Sequence, residues 1–333
     1  MVIRLAQSLC LSIFLAINTL AVSATQGWSA AQAVYNTSPS ALAGLSLDEL
    51  NSFGLRLVTE AYEMRSRVER PIADEAKVNT TSDAVKAVIH LYDDDAVIQR
   101  ARLNYGLTKN TYVPNYTGAF TISNIAVSQT SNTVLVISFD VQLPNRTSLE
   151  SGNVYSGDSM PRLLVMRWNE RDKMWKIFSH GDFDAPRTFL CGANKDFMPE
   201  KSTFKQEDIE LALQLLYKLQ TASLNGTEKS VQSPGFQYVF ASGERKTAPG
   251  KIRARIKERQ KALNVEAIKS DDLLVMRFDT ISSLTLDGGK TEADLRPRLT
   301  TFHRDADGEW RMNAAAIFTV TAKLAENVKC VDP

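Results

Sequence analysis

A stretch of strand-like sequence occurs twice in this chain. Val134 to Asp140, Val-Leu-Val-Ile-Ser-Phe-Asp, returns 139 residues later as Leu273 to Asp279, Leu-Leu-Val-Met-Arg-Phe-Asp. Downstream, at a slightly shorter offset, Pro161-Arg162-Leu163 through Trp168 to Trp175 returns as Pro297-Arg298-Leu299 through His303 to Trp310. A chain carrying such an internal repeat is built from two copies of one unit, and 333 residues accommodate two domains of roughly 150 residues each. In both copies an apolar strand runs into a polar turn, Asn169 to Lys173 or Asp305 to Glu309, and then into a Trp-led strand. Runs rich in Val, Ile, Leu, Phe and Trp between turn residues predict antiparallel hairpins.

Each copy has helical spacing upstream of its strands. Leu47 to Arg67 places Leu50, Phe53, Leu57, Val58 and Ala61 on one face, with Ser46 before Leu47-Asp48-Glu49 as its N-cap. Its partner runs from Gln206 to Leu219, where Ile209, Leu211, Leu213, Leu215, Leu216 and Leu219 make a broad apolar face. A second helix is expected from Ser82 to about Tyr92, and another from Pro249 to Ala262, with proline in its first turn. Ala185 to Thr203, containing Pro186, Gly192 and Pro199, reads as the linker. Helices followed by a long antiparallel sheet make an α+β plan.

At this point the chain resembles the nuclear-transport-factor-2-like (SnoaL-like, cystatin-like) superfamily, in tandem. The residues that carry the resemblance are Leu91-Tyr92-Asp93-Asp94-Asp95-Ala96-Val97-Ile98, the closing Met174-Trp175-Lys176-Ile177-Phe178-Ser179-His180, and Phe236 to Gly243 in the second copy. The resemblance implies two cone-shaped units at 40–185 and 204–322, joined by a linker at 186–203 and followed by a tail at 323–333. In each, helices would close one mouth of a curved antiparallel sheet around a mostly apolar pocket. It implies nothing definite about activity, since its members include isomerases, dehydratases, cyclases, ligand binders and assembly modules. The pocket it implies is lined by Tyr92, Val97, Ile137, Phe139, Val165, Trp175 and Ile177 in the first unit and by Phe278 and Trp310 in the second. Arg162 and its counterpart Arg298 follow a proline at the start of equivalent strands. Pairing with Asp140 and Asp279 is the expected structural job, and an anion-binding arginine at 162 is the alternative.

The first residues point to export. Met1 to Arg4 is a short basic start, Leu5 to Ala24 is apolar and uncharged, and Val22-Ser23-Ala24 ends it in the small-residue pattern of a cleavage site. Residues 1–24 are therefore expected to be a signal peptide, which gives a secreted or periplasmic mature protein with no membrane span. Thirty-nine basic against thirty-eight acidic side chains leave a formal net charge of +1, which provides no electrostatic footprint for nucleic acid. The basic segment Lys251–Lys261 lacks interleaved aromatics and reads as a solvated helix face. Asn36, Asn79, Asn115, Asn145 and Asn225 each begin an Asn-X-Ser/Thr triplet, a glycosylation acceptor where the host glycosylates. Cys10 would leave with the signal peptide. Cys191 and Cys330 remain, and if the two copies pack as an intrachain pseudo-dimer they can meet near its axis as a disulfide. No Cys or His pair has the spacing of a metal site, and no cofactor motif is present.

Three side chains are candidates for acid–base chemistry: His180, Asp95 and Tyr92. His180 ends the Trp175 strand with Asp182 and Asp184 nearby, a combination that suits a general base near neutral pH. Strand alternation argues against it. Trp175, Ile177 and Ser179 share one face, and Lys176, Phe178 and His180 share the other, so His180 reaches the pocket only if a bulge at Gly181 reverses the register. Its counterpart is Ala315, so any such site belongs to the first copy alone. Asp93-Asp94-Asp95 reads as turn and capping residues with one carboxylate near the pocket mouth, and His90 as a partly buried helix residue. The resulting expectation is an exported, non-catalytic pseudo-dimer that holds a small apolar molecule in a cone, or presents its outer sheet faces to a protein partner. Further oligomerisation stays open. The competing expectation is a cofactor-independent isomerase, dehydratase or cyclase.

Overall fold

The computed structural model describes residues 33–68, 82–100, 105–112, 118–143, 146–147, 154–155, 159–183, 204–250, 261–285 and 291–318. The segments expected to be the signal peptide, the linker and the C-terminal tail, with Cys191 and Cys330, lie outside those residues, as do 251–260 of the expected basic helix. Of that helix's ends, Pro249 sits in a bend and Ala262 begins a strand.

Two helices open the first unit. Helix α1 (Leu47–Ser66) starts in a capping box, in which the Glu49 backbone N–H donates to Ser46 Oγ and the Ser46 N–H donates to Glu49 Oε2 at 2.8 Å. Helix α2 (Asp83–His90) is capped by Ser82, whose hydroxyl accepts from the Val85 N–H, and His90 is exposed in its last turn. Eight strands follow: β1 (Tyr92–Arg100), β2 (Leu107–Thr108), β3 (Thr121–Ser131), β4 (Val134–Gln142), the short pair β5 (Arg146–Thr147) and β6 (Val154–Tyr155), β7 (Ser159–Asn169) and β8 (Met174–Asp182). The second unit has helix α3 (Gln206–Asn225), ended by Gly226 at φ 73°, a left-handed cap that glycine adopts without strain. Its strands are β9 (Gln232–Phe240), β10 (Arg245–Lys246), β11 (Ala262–Ser270), β12 (Leu273–Thr285), β13 (Thr291–Arg304) and β14 (Trp310–Ile317).

The two main sheets have the same wiring. The first runs β2-β1-β8-β7-β4-β3 and the second β10-β9-β14-β13-β12-β11. Neither is purely antiparallel as expected. β1 pairs parallel with β8, and β9 parallel with β14, because the strand that follows the helices returns beside the last strand of its own unit. Bulges match as well. In β3 the register shifts around Asn124 at φ 50°, and in β11 around Asn264 at φ 49°. Asparagine tolerates this left-handed conformation better than most residues, and each amide is held by a carboxylate on the next strand: Asn124 Nδ2 donates to Asp140 at 2.7 Å and Asn264 Nδ2 to Asp279 at 2.8 Å.

Each sheet buries both faces. The inner face of the first packs under α1 and α2 around Leu57, Val58, Phe139, Leu164 and Ile177, and that of the second under α3 around Leu215, Leu216, Phe236, Phe278 and Met312. The outer faces pack on each other through Val97, Val136, Leu163, Val165 and Phe178 from one unit and Val239, Val275, Leu299, Ala314 and Ala316 from the other. Phe183 stacks on Phe318 with ring centroids 4.4 Å apart, and a Cβ at Gly181 would lie 3.0 Å from that of Ala316. Phe318 and Ala316 stand 135 positions after Phe183 and Gly181, as Trp310 stands after Trp175, so these residues meet their own counterparts. That self-contact marks a pseudo-twofold axis. The chain is an intrachain pseudo-dimer, and the outer sheet faces expected to receive a partner are covered by each other.

Buried polar side chains seal the joint. Gln237 Nε2 donates to Ser128 Oγ at 2.6 Å and to the Val136 carbonyl at 2.9 Å. Arg167 pairs with Asp93 at 2.7 Å and reaches Ser270 Oγ across the joint at 2.8 Å. Arg277, fully buried, donates to Gln99 Oε1 at 2.9 Å and pairs with Asp279. Asp140 takes Arg245 as its partner. The expected pairing of Asp140 with Arg162 is therefore corrected: Arg162 bonds Asp182, one strand over. Arg277→Met should destabilise the chain by about 3–5 kcal/mol, because it strands a buried carboxylate. The double variant Arg277→Met/Asp279→Asn should recover a large part of that loss in urea titrations.

Candidate functional site

The first unit contains a cavity of about 20 Å³, lined by Val58, Ala61, Tyr62, Arg65, Val88, Leu91, Tyr92, Phe139, Leu164, Ile177 and His180. That is room for about one water molecule. Helix α1 supplies Val58, Ala61, Tyr62 and Arg65, successive members of one helical face, while α2, its C-cap Leu91, β1, β4, β7 and β8 supply the rest.

A bulge puts His180 there. Val165 pairs with Ser179 but Met166 with Ile177, so Phe178 is the extra residue of β8. Phe178 and Ser179 then fall on successive positions of the outer side, and Ile177 and His180 both face the cavity. The alternation argument excluded His180 by assuming an unbroken strand, and the reversal it allowed at Gly181 occurs three residues earlier. The second unit repeats the bulge at Asn313, between the Phe302–Met312 and Thr301–Ala314 pairs.

Around the cavity runs a buried polar chain. Tyr92 Oη lies 2.8 Å from His180 Nδ1, with the donor set by the imidazole tautomer, and the Tyr92 ring packs 4.9 Å from that of Tyr112. Arg65 Nη2 donates to Tyr112 Oη at 2.5 Å, and its guanidinium lies 5.1 Å over the Tyr62 ring. Arg162 Nε donates to Tyr62 Oη at 3.1 Å, and its Nη2 pairs with Asp182 at 2.8 Å. Arg100 approaches the other Asp182 oxygen at 3.7 Å.

These charges fix protonation. Burial pushes the His180 pKa down to about 3, and Arg65, Arg162 and Arg100 add to the effect against the opposing pull of Asp182. Burial, with Tyr112 beside it, raises the Tyr92 phenol well above its usual range. Burial alone would raise Asp182, but the neighbouring guanidiniums, Arg162 foremost, hold it far below the usual carboxylate range. At neutral pH the site therefore contains a neutral imidazole, a protonated phenol, a carboxylate and three cations.

The expected site residues separate into three places. Tyr92, Phe139, Ile177 and His180 line the cavity, Ile137 and Trp175 belong to the core beside it, and Arg162 stands behind Tyr62. Val97 and Val165 lie instead in the joint between the sheets, on the outer side of their strands. Asp95 is also at the joint, accepting from Ser270 Oγ at 2.6 Å, while Asp93 holds Arg167 and Asp94 holds Lys109 and Arg171. Phe278 and the half-buried Trp310 pack in the second unit's core, which has Ala315 where the first has His180. Sequence reasoning missed Tyr62, Arg65 and Tyr112. The signal for Arg65 was present: it continues the apolar stripe Phe53, Leu57, Val58, Ala61 one turn further, and a charge on that stripe is out of place.

Among the described residues no group of three or more His, Cys, Asp or Glu side chains is arranged to hold a metal ion, and no helix is long and apolar enough to cross a membrane.

No family model and no curated protein matches this chain. Among solved structures it is similar to the association domain of C. elegans CaMKII, at 13% identity over 34% of this chain and 95% of that one with a TM-score of 0.27. It is similar to the S. rosetta CaMKII hub at 12% identity, over 36% of this chain and 98% of that one with a TM-score of 0.28. A nuclear-transport-factor-2-like protein with a cystatin-like fold from Novosphingobium aromaticivorans is 14% identical over 37% of this chain and 90% of its own, with a TM-score of 0.26.

The depressed His180 pKa sets an acid limit. Between pH 6.5 and about 3 the unfolded imidazole takes up a proton that the folded one refuses, so stability falls as the pH falls through this window. Asp182 adds to the loss once the pH drops below its unfolded value. His303 works the other way. Burial lowers its pKa, but Asp272 and Asp305 outweigh that and raise it, so its contribution is complete below pH 6.5 and fades as the pH rises through the raised value. Urea midpoints should decline from pH 6.5 to 4, and His180→Gln should flatten that slope by up to about 1.4 kcal/mol per pH unit. An unchanged slope would mean that His180 titrates alike in the folded and unfolded states.

Proposed function

We propose that the protein is an exported carrier or receptor that holds a small, mainly apolar molecule in the cone of its first unit without transforming it. The observation that carries this reading is the cavity itself. Its wall is made chiefly of Val58, Ala61, Val88, Leu91, Phe139, Leu164 and Ile177, and it lies beneath the helices that close the mouth of a curved sheet. Concave, mostly apolar sites with a few polar groups are the usual form of small-molecule sites. An occupant that leaves the walls in place is limited to about one water-sized group, and a larger one requires α1 to move away from β7 and β8. Export rests on the Met1–Ala24 pattern, and secretion or a periplasmic location follows from it.

The enzymatic reading has one observation in its favour, the Tyr92–His180 contact in the same cavity. Its weakness is His180's pKa of about 3, since a general base works best with a pKa near the operating pH. The protein-partner reading has less support, because the outer sheet faces it would use pack on each other.

Native mass spectrometry of the purified chain, before and after denaturation, tests the proposal. A small bound mass should be released on denaturation, and Ala61→Leu, which fills the cavity from α1, should remove it while leaving the far-ultraviolet circular dichroism unchanged. A folded Ala61→Leu variant that keeps the bound mass would place the ligand elsewhere.

A further inference from the structure

One buried cation beside the cavity has no ion pair among the described residues. Arg65 is 8% exposed, lines the cavity and sits among apolar side chains of α1. Its Nη2 is used by Tyr112, its Nε has no hydrogen-bond partner among the described residues, and no carboxylate there stands within ion-pair distance of it. The local carboxylate is Asp182, and Arg162 and Arg100 already occupy it from two sides. The Tyr62 face beneath Arg65 offers a cation–π contact, and the hydroxyl of Tyr62 is taken by Arg162. A buried guanidinium with an unused donor and no ion pair among the described residues is costly unless something else supplies negative charge in contact with it.

We propose that the ligand of the first cone is a small monocarboxylate with an apolar body, its carboxylate received by Arg65 and its body by Val58, Ala61, Val88, Leu91, Leu164 and Ile177. This rests on the reading of the cone as a ligand site and adds the ligand's charge. One guanidinium with no ion pair among the described residues suits a single negative charge. A phosphate would bring more charge and more acceptor oxygens than this wall can satisfy, and any of these ligands enters only as α1 moves away from β7 and β8. Among the described residues the second unit's core cluster carries Ala315 and Met312 where the first carries His180 and Ile177, with no arginine in it. One carboxylate per chain is expected.

The test uses the full chain and a series of probes: propanoate, butanoate and benzoate, each against its neutral amide. Binding is followed by calorimetry and by the shift in melting temperature. The carboxylates should bind at one site per chain, at least ten-fold more tightly than their amides. Arg65→Met should abolish that preference, and Arg65→Lys, which keeps the charge and loses the planar fork, should retain part of it. If Arg65→Met does not fold, the carboxylate–amide comparison on the wild-type chain decides alone. Amides binding as tightly as carboxylates, with Ala61→Leu abolishing both, would overturn the monocarboxylate inference and leave the cone as a ligand site. No binding by either series, together with a wild-type chain that carries no bound mass, would overturn both.

Discussion

The structure depends on the burial of one sheet's outer face against the other's. An open, curved sheet with helices on one side leaves its other side to be covered, and here each unit covers its neighbour. The contact is self-complementary: Phe183 lies on Phe318, and Gly181 against Ala316. Gly181 makes the close approach there, since any Cβ would press on Ala316. The strands at the centre of each sheet are consequently apolar on both faces, and β4 is buried at every position but its last. The ends of the joint are held by polar groups that differ from one unit to the other. Arg167 with Asp93 secures one place, Arg277 with Gln99 and Asp279 another, and Gln237 a third. The two units have the same backbone plan, and their side chains have diverged around it.

That divergence makes the site. A bulge in the last strand of each unit turns the following residue back towards the cone, and the residue delivered is His180 in the first unit and Ala315 in the second. With His180 come Tyr92 and the arginines of α1, β1 and β7. In the second unit the same interior is filled by Phe236, Tyr238, Phe240, Phe278 and Phe302. The first cone has room and charge, and in the second the described residues form an aromatic core.

The sequence made the duplication, the α+β plan and the helix starts legible, because each has a local signature: a repeated strand, a helical apolar stripe, a Ser-x-x-Glu cap. It concealed whatever depends on register. Asn124 and Asn264 stand at matching bulges, and nothing in the alternation around them announces the extra residue. The same blindness placed His180 on the wrong face, since period-two reasoning fails on the far side of any bulge, and the pocket implied by the resemblance took in Val97 and Val165, which face the joint. Ion pairs were equally illegible. Arg162 and Asp140 sit on adjacent strands, but Asp182 from β8 is closer in space, and Asp140 is claimed by Arg245 from the other unit. Arg65 is the exception, a charge standing in plain view on an apolar stripe.

Hydrogen exchange measured residue by residue across a range of urea concentrations tests the central claim, that the two units form one body through their outer faces. β4 (Val134–Gln142) and the matching part of β12 (Leu273–Thr280) lie at the centres of the two sheets. If the joint is as described, their most protected amides exchange only through global unfolding, with the same free energy and the same urea dependence. If β12 opens at a lower free energy while β4 stays protected, the units are independent and the packed outer faces do not hold them together.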